Sequence, residues 1–404
     1  MIKVITGNEA VAHGVLLVQP PVIAAFPITP ASRIPEQLTE FKAQGLLKGK
    51  FVNVESEMTS LSYVTGASHG GVRVFTATSG AGLAWMHEGL HNASGLRLPI
   101  VMALVGRALS SPLSLTGGQI DSLCERDCGW LQLYCESNQE VLDTILQAYR
   151  IAESMYLPIM VCLDGTYLSY ISENVDIPDQ ELVDRYLPPY DPSGRERLGQ
   201  TVLPRHSKQP PQTSPPQRMG SNTGQRYDLH KLELQSLDMA DQADEEFKAI
   251  FGRSYPMVEE YKCDGAEMVL VTNGSAVGTA RQVIDELNDK GHKVGLVKLK
   301  MFVPFPLEKV RKALAGRKKI AVIERDISPG QCGIIYQQIK WALYNNTPIY
   351  GFCGGLGGED ITPKLIEKAI MYTLENDPPQ QEALWLGLEK EDIDDYDRNA
   401  VKIF

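Results

Sequence analysis

The stretch Ile100-Val101-Met102-Ala103-Leu104-Val105, closed by Gly106-Arg107, decides the fold. Six apolar residues that stop at a glycine read as a buried strand, too brief for a helix. Residues 159–163 (IMVCL) repeat the pattern, and residues 22–26, 51–54 and 72–77 give three more runs of the same kind. Helical patterns lie between them at 31–44, 57–68, 82–93 and 138–154, the last opened by the capping signal Ser137-Asn138-Gln139-Glu140. Strands without an exposed face, alternating with helices, predict an α/β fold with a parallel sheet covered on both sides.

Further along, the character changes. Residues 188–226 carry Pro-Pro pairs at 188–189, 210–211 and 215–216 among Ser, Gln, Arg and Gly. Such a segment lacks the apolar surface for a core and reads as an extended linker or surface arm. An amphipathic helix is expected at 229–251. A second α/β unit follows, with strands at 268–272, 293–299, 319–323 and 349–352 and helices at 276–290, 307–314 and 334–344. Residues 363–404 read as a helix and an acidic tail, with 389–397 a solvated face. The expected division is a first α/β domain over 1–187, the arm over 188–226, a connecting helix over 227–262, a second domain over 263–375 and a tail over 376–404.

The 404 residues suit two or three domains. A net charge of −11, from 39 basic and 50 acidic residues, argues against a nucleic-acid binder. No run of about 18 apolar residues occurs, so no membrane span is expected, and MIKVITGNEAVAHG lacks the features of a signal peptide. The seven cysteines are scattered, with no CxxC pair. That spacing predicts reduced thiols in a cytoplasm and neither an iron–sulfur cluster nor a zinc ribbon held by this chain alone. Cys124 and Cys128 read as packing residues.

Several segments carry possible chemistry. His87-Glu88-Gly89-Leu90-His91 fits HExxH, which on a helix presents two imidazoles to zinc. Gly89 weakens that helix and no third ligand is evident, so chance competes with a zinc hydrolase. Phe26-Pro27-Ile28-Thr29-Pro30 ends a strand and either presents the Thr29 hydroxyl at a ligand-binding strand end or is a stiff connector. In Glu55-Ser56-Glu57 a carboxylate opens a helix and suits its dipole. Arg107, beyond the deciding strand, is either a bidentate clamp for a carboxylate or a surface residue. No GDG motif followed by an Asn pair occurs, so the usual diphosphate and metal site for thiamine diphosphate is missing.

In this order the segments are specific. GNEAVAHG (7–14), FPITP (26–30), VESE (54–57), TATS (76–79), MHEGLHNASGLRLPIV (86–101), GRALSSP (106–112), RDCGW (126–130), NQE (138–140), LDG (163–165), MFVPFP (301–306) and GLGGEDI (355–361) resemble the α subunit of the 2-oxoacid:ferredoxin oxidoreductases, pyruvate:ferredoxin oxidoreductase among them. The likeness covers nearly all of the chain outside the arm, and it absorbs His87 and Glu88 into a family stretch.

The resemblance implies a first domain of the thiamine-diphosphate pyrimidine-binding type and a second like the transketolase C-terminal domain. It implies a thiamine diphosphate shared with a β subunit, which would hold the diphosphate and Mg2+, and no metal on this chain. Iron–sulfur clusters of the [4Fe-4S] type would sit in partner chains, the γ and iron–sulfur subunits, within a dimer of heteromers. Ferredoxin or another acceptor would take the electrons and coenzyme A the acyl group. By residue, Glu57 would be the catalytic carboxylate on the cofactor's ring nitrogen N1′, and Thr29 and Arg107 would hold the substrate. A scaffold subunit with a decayed site is the other class, against which these three residues stand. One departure is Gly118-Gln119-Ile120-Asp121, where the family pattern reads Asp-His-Ser-Asp. It is expected to change polarity near the substrate mouth, which sets a bulkier acid, such as phenylglyoxylate or 2-oxoisovalerate, as the alternative to pyruvate or a related 2-oxoacid.

Overall fold

The computed structural model describes residues 1–194, 221–344, 347–377 and 383–388. The deciding strand is the centre of a seven-stranded sheet. In chain order the first half gives β1 (Ile2–Thr6), α1 (Gly7–Val18), β2 (Val22–Ala25), α2 (Arg33–Ala43), β3 (Lys50–Asn53), α3 (Glu57–His69), β4 (Val74–Thr78), α4 (Gly80–Trp85), α5 (His87–Gly95), β5 (Val101–Gly106), α6 (Ile120–Cys124), β6 (Leu131–Tyr134), α7 (Asn138–Met155), β7 (Ile159–Asp164), β8 (Ser172–Asp176) and α8 (Gln180–Tyr186). The second half gives α9 (Asn222–Phe251), β9 (Val258–Tyr261), β10 (Met268–Thr272), α10 (Ala276–Asp289), β11 (Val294–Leu299), β12 (Met301–Val303), α11 (Leu307–Leu314), β13 (Lys319–Glu324), α12 (Ile334–Leu343), β14 (Ile349–Cys353), α13 (Pro363–Glu375) and β15 (Leu384–Trp385).

The first sheet runs β12-β6-β7-β5-β4-β2-β3, parallel except for β12. Both its faces are covered, as the unbroken apolar runs predict. Val101, Ala103 and Val105 join one apolar cluster with α1, α2 and α7, while Met102 and Leu104 join another with α3, α4 and α5. This second cluster continues into the other sheet through Val271, Val297 and Val322. That sheet runs β15-β14-β13-β10-β11-β9, parallel except for β9. The winding reverses between β2 and β4 in the first sheet and between β10 and β13 in the second, and at such points the strand ends leave a crevice.

Several elements differ from expectation. The 82–93 helix is two, broken at Met86. The helix expected from 229 begins at Asn222, where the Ser221 hydroxyl accepts the Gly224 N–H. Its first turns are exposed and carry no apolar stripe to betray them. Leu384–Trp385, in the expected tail, pairs with β14. β12, from the second half, completes the first sheet against β6. The arm between 195 and 220 and the acidic run at 389–397 lie outside the described residues.

A buried ion cluster ties the halves together. Lys300 Nζ, fully buried, donates to Glu140 Oε1 at 2.7 Å and Thr144 Oγ1 at 2.6 Å. Lys298 Nζ reaches Glu140 Oε2 at 2.8 Å and Glu136 Oε2 at 2.9 Å. Burial raises the Glu140 carboxyl, but Lys300 and then Lys298 outweigh it and hold it at about 2. Glu140→Gln leaves two buried ammonium groups short of their partner and is expected to cost about 3–5 kcal/mol of stability at neutral pH. Because the folded pKa lies below the usual 4.5, this contribution is complete above about pH 4.5 and is lost as pH falls toward 2. Denaturant unfolding of both proteins across pH 7 to 3 checks it: the stability gap should close on acidification.

Candidate active site

The ends of β2, β3, β4 and β5 bring the three expected residues to one edge of the sheet. Glu57 is the first residue of α3, whose start is fixed by the Ser56 hydroxyl accepting the Thr59 N–H at 3.1 Å. Its side chain is 5% exposed and takes no hydrogen bond from any described residue. It lies against Gly82 of α4, where an added Cβ would stand 2.8 Å from Glu57 Oε1 and 2.6 Å from Thr78 Oγ1. The Thr78 hydroxyl is buried without a partner.

Arg107, 6% exposed, lies one strand over. Its Nη1 donates to the Thr29 carbonyl at 2.7 Å, so Thr29 and Arg107 touch. The side chain passes over Gly80, where a Cβ would stand 2.2 Å from Nε; only glycine fits, and its φ of +47° also favours glycine. Nε is buried without a partner, and among the described residues no carboxylate pairs with this guanidinium. A buried cation without a counter-charge is costly, and an anionic ligand relieves it. Glu57 lies against Gly82, two residues along α4 from the Gly80 that Arg107 crosses, and neither Arg107 nor Thr29 contacts it through a hydrogen bond.

One carboxylate underlies this arrangement. Asp121, 2% exposed, accepts the Gly80 N–H at 2.9 Å and the Arg107 N–H at 3.0 Å on Oδ2, and the Ser122 N–H at 2.8 Å on Oδ1. Burial pushes its carboxyl up to about 6 despite those donors. Asp164 at the end of β7 accepts from Gln119 Nε2 at 2.9 Å and from the Ser275 N–H at 2.8 Å and hydroxyl at 2.6 Å. The Gln119 N–H meets the Arg325 carbonyl at 3.2 Å. The crevices of the two sheets therefore face each other. In the 118–121 segment Gly118, Gln119 and Asp121 are buried, Gln119 turns to Asp164, and Ile120 packs into the apolar cluster. Sequence reasoning assigned no role to Asp164 or Ser275 and read Gln119 and Asp121 only as part of the 118–121 departure; the quoted LDG triplet was the one signal for Asp164.

The HExxH residues take another course. His87 Nδ1 is 2.7 Å from Glu125 Oε2, and the His87 and His91 rings meet edge-on at 5.0 Å. No group of three metal-ligating side chains occurs among the described residues. All seven cysteines are free thiols.

The family model described as pyruvate flavodoxin/ferredoxin oxidoreductase, thiamine diphosphate-binding, matches residues 13–247, and the pyruvate:ferredoxin oxidoreductase core domain II model matches 266–366. The chain belongs to the pyruvate:ferredoxin oxidoreductase family. Within it, a pyruvate synthase subunit PorA from Methanothermobacter thermautotrophicus is 45% identical, over 97% of this chain and 99% of its own. The α subunit of an NADH-dependent phenylglyoxylate dehydrogenase from Aromatoleum evansii is 39% identical over 94% of each. A ketoisovalerate oxidoreductase subunit VorA from Pyrococcus abyssi is 39% identical, over 96% of this chain and 98% of its own. Among solved structures, a 2-oxoglutarate:ferredoxin oxidoreductase from Magnetococcus marinus superposes with a TM-score of 0.69 at 23% identity, covering 93% of this chain and 65% of the other. A split-gene transketolase gives 0.53 at 13% identity, covering 92% and 98%. The fold expectation holds: two parallel-sheet units, one of the thiamine diphosphate-binding family and one like the transketolase C-terminal domain. As a pyruvate:ferredoxin oxidoreductase family member, the chain is a catalytic subunit of a 2-oxoacid oxidoreductase and acts with other subunits. The zinc hydrolase and the scaffold are set aside. No described helix is long and apolar enough to cross a membrane.

Proposed function

We propose that this subunit supplies the pyrimidine-binding half of a thiamine diphosphate site and the substrate clamp for pyruvate. The observation that carries the reading is the buried, carboxylate-free guanidinium of Arg107 lying on Thr29 at the switch point of the first sheet. The residues suit the cofactor: two glycines whose Cβ would fill the space beside Glu57 and Arg107, an orphaned Thr78 hydroxyl, and a buried carboxylate free to meet a ring nitrogen. Bound thiamine diphosphate supplies the nucleophilic carbon and the electron sink for decarboxylation. Glu57 holds and returns the proton at pyrimidine N1′. Arg107 pairs with the substrate carboxylate, and the Thr29 hydroxyl, which makes no hydrogen bond to any described residue, donates to a substrate oxygen. The domain boundaries at 187 and 262 are part of the same reading, whereas α9 already begins at Asn222 and β15 carries the second unit past 375.

Pyruvate is favoured over phenylglyoxylate and 2-oxoisovalerate by the 45%-identical pyruvate synthase subunit, while the buried 118–121 segment gives no reason for a larger acid. A 2-oxoacid panel on the purified complex, read with an artificial electron acceptor, tests this. Pyruvate should exceed the aromatic and branched acids in kcat/KM by about tenfold or more; the reverse order would overturn it. The diphosphate, Mg2+ and [4Fe-4S] clusters belong to a β subunit, a γ subunit and iron–sulfur subunits in a cytoplasmic dimer of heteromers. Coenzyme A takes the acyl group, and ferredoxin or a related acceptor the electrons. The isolated chain is accordingly expected to bind thiamine diphosphate no more tightly than about 0.1 mM in calorimetry with Mg2+, because the diphosphate contacts are absent; tight binding would refute the divided site.

A further inference from the structure

The mechanism above leaves one buried ionisable group unused beside the clamp. We infer that Asp121 is a positioning residue for substrate binding, acting through Arg107; the inference rests on the clamp role proposed for that residue. A single carboxylate oxygen fixes two backbone atoms on neighbouring strand ends: Oδ2 accepts the Arg107 N–H at 3.0 Å and the Gly80 N–H at 2.9 Å. The first bond sets the root of the Arg107 side chain. The second sets the shelf beneath it, because the guanidinium stem runs directly over the Gly80 Cα, with the Cβ position of residue 80 only 2.2 Å from Nε. The same oxygen therefore locates both the arm and the surface it lies on. The guanidinium's described hydrogen bond is to the Thr29 carbonyl, which positions Nη1 and leaves the remaining donors to the ligand.

The carboxylate is held in turn. Ser122 N–H fixes Oδ1 at 2.8 Å, and Asp121 stands on α6, two residues after Gln119, whose N–H meets the Arg325 carbonyl of the second unit. No close carboxylate–guanidinium ion pair links Asp121 and Arg107 among the described residues, so the geometric hold runs through the backbone, beside a longer-range attraction between the two charges. Asparagine is nearly isosteric but presents one oxygen to three N–H donors, and its amide nitrogen must oppose at least one of them. The root of Arg107, the Gly80 shelf or the α6 turn then shifts. A displacement near 1 Å at a positioning residue is enough for effects on the order of a hundredfold.

The test is steady-state kinetics on the purified complex carrying Asp121→Asn, Arg107→Ala or both, with thermal stability and thiamine diphosphate content measured on each. Asp121→Asn should raise KM for the 2-oxoacid about tenfold or more, keep kcat within roughly threefold, and leave stability and cofactor content near the parent values. In the Arg107→Ala background the same substitution should add less than about twofold, as expected for two residues acting on one contact. An unchanged KM in Asp121→Asn, or a KM increase that persists at full size without Arg107, overturns the inference. A loss of kcat and cofactor with no KM effect does so as well, since that marks a merely structural role. An Arg107→Ala complex with parental kcat/KM removes the clamp, and the inference with it. A strongly impaired Arg107→Ala beside an unaffected Asp121→Asn removes the inference alone.

Discussion

Arg107→Ala is expected to lower kcat/KM for every accepted 2-oxoacid by roughly 30-fold to several thousandfold, corresponding to about 2–5 kcal/mol for stranding a desolvated charge without its partner. The guanidinium is buried, rests on the Thr29 carbonyl and meets no carboxylate among the described residues. Its charge is thus available to the substrate. Thr29→Ala removes a neutral donor and should cost at least about tenfold less than the arginine truncation. Arg107→Lys should recover only part, since an ammonium cannot reproduce the planar fork above Gly80. Kinetics on folded, cofactor-saturated complexes decide the matter, and parental kcat/KM in Arg107→Ala would rule out the clamp.

Glu57→Gln should abolish most turnover, by about 10²–10⁴-fold, while assembly and stability stay close to the parent. Glutamine fills the same space against Gly82 but cannot exchange a proton with the pyrimidine nitrogen. The side chain takes no hydrogen bond from any described residue, so the substitution breaks no internal contact. Residual activity above about a tenth of the parent in an assembled, cofactor-loaded complex would contradict the role.

How much of this was legible follows from where the information lies. β5 and β7 could be read because they are apolar nearly throughout, and β10, β11, β13 and β14 of the second sheet because apolar residues dominate them. The opening β1–α1 unit was missed although Thr6 and Glu9 form a capping box, a local signal present in the sequence. β6 holds only Leu131–Tyr134 with a glutamine inside it, and β12 has three residues. Neither carries enough pattern alone: β6 is held by β7 and β12, and β12 is a strand because β6 lies beside it. At the site, Thr29, Glu57 and Arg107 came forward through strand-end position and family likeness. Asp121 did not, because its partners are backbone N–H groups at 80 and 107, and no spacing in a sequence announces a bond to a distant main-chain atom. The direction of the Gln119 side chain was hidden in the same way, because its partner is Asp164 at the end of another strand.

β12 has a practical consequence for dissecting the molecule. A fragment ending before Lys298 would keep every residue of the clamp yet leave the main-chain donors and acceptors of β6 bare along that edge. It would also strip Glu140 of both lysines. Such an edge invites pairing with other chains. Expression of residues 1–262 alone should therefore give aggregates or strand-exchanged oligomers, whereas co-expression with the remainder should restore a non-covalent heterodimer whose two pieces melt together.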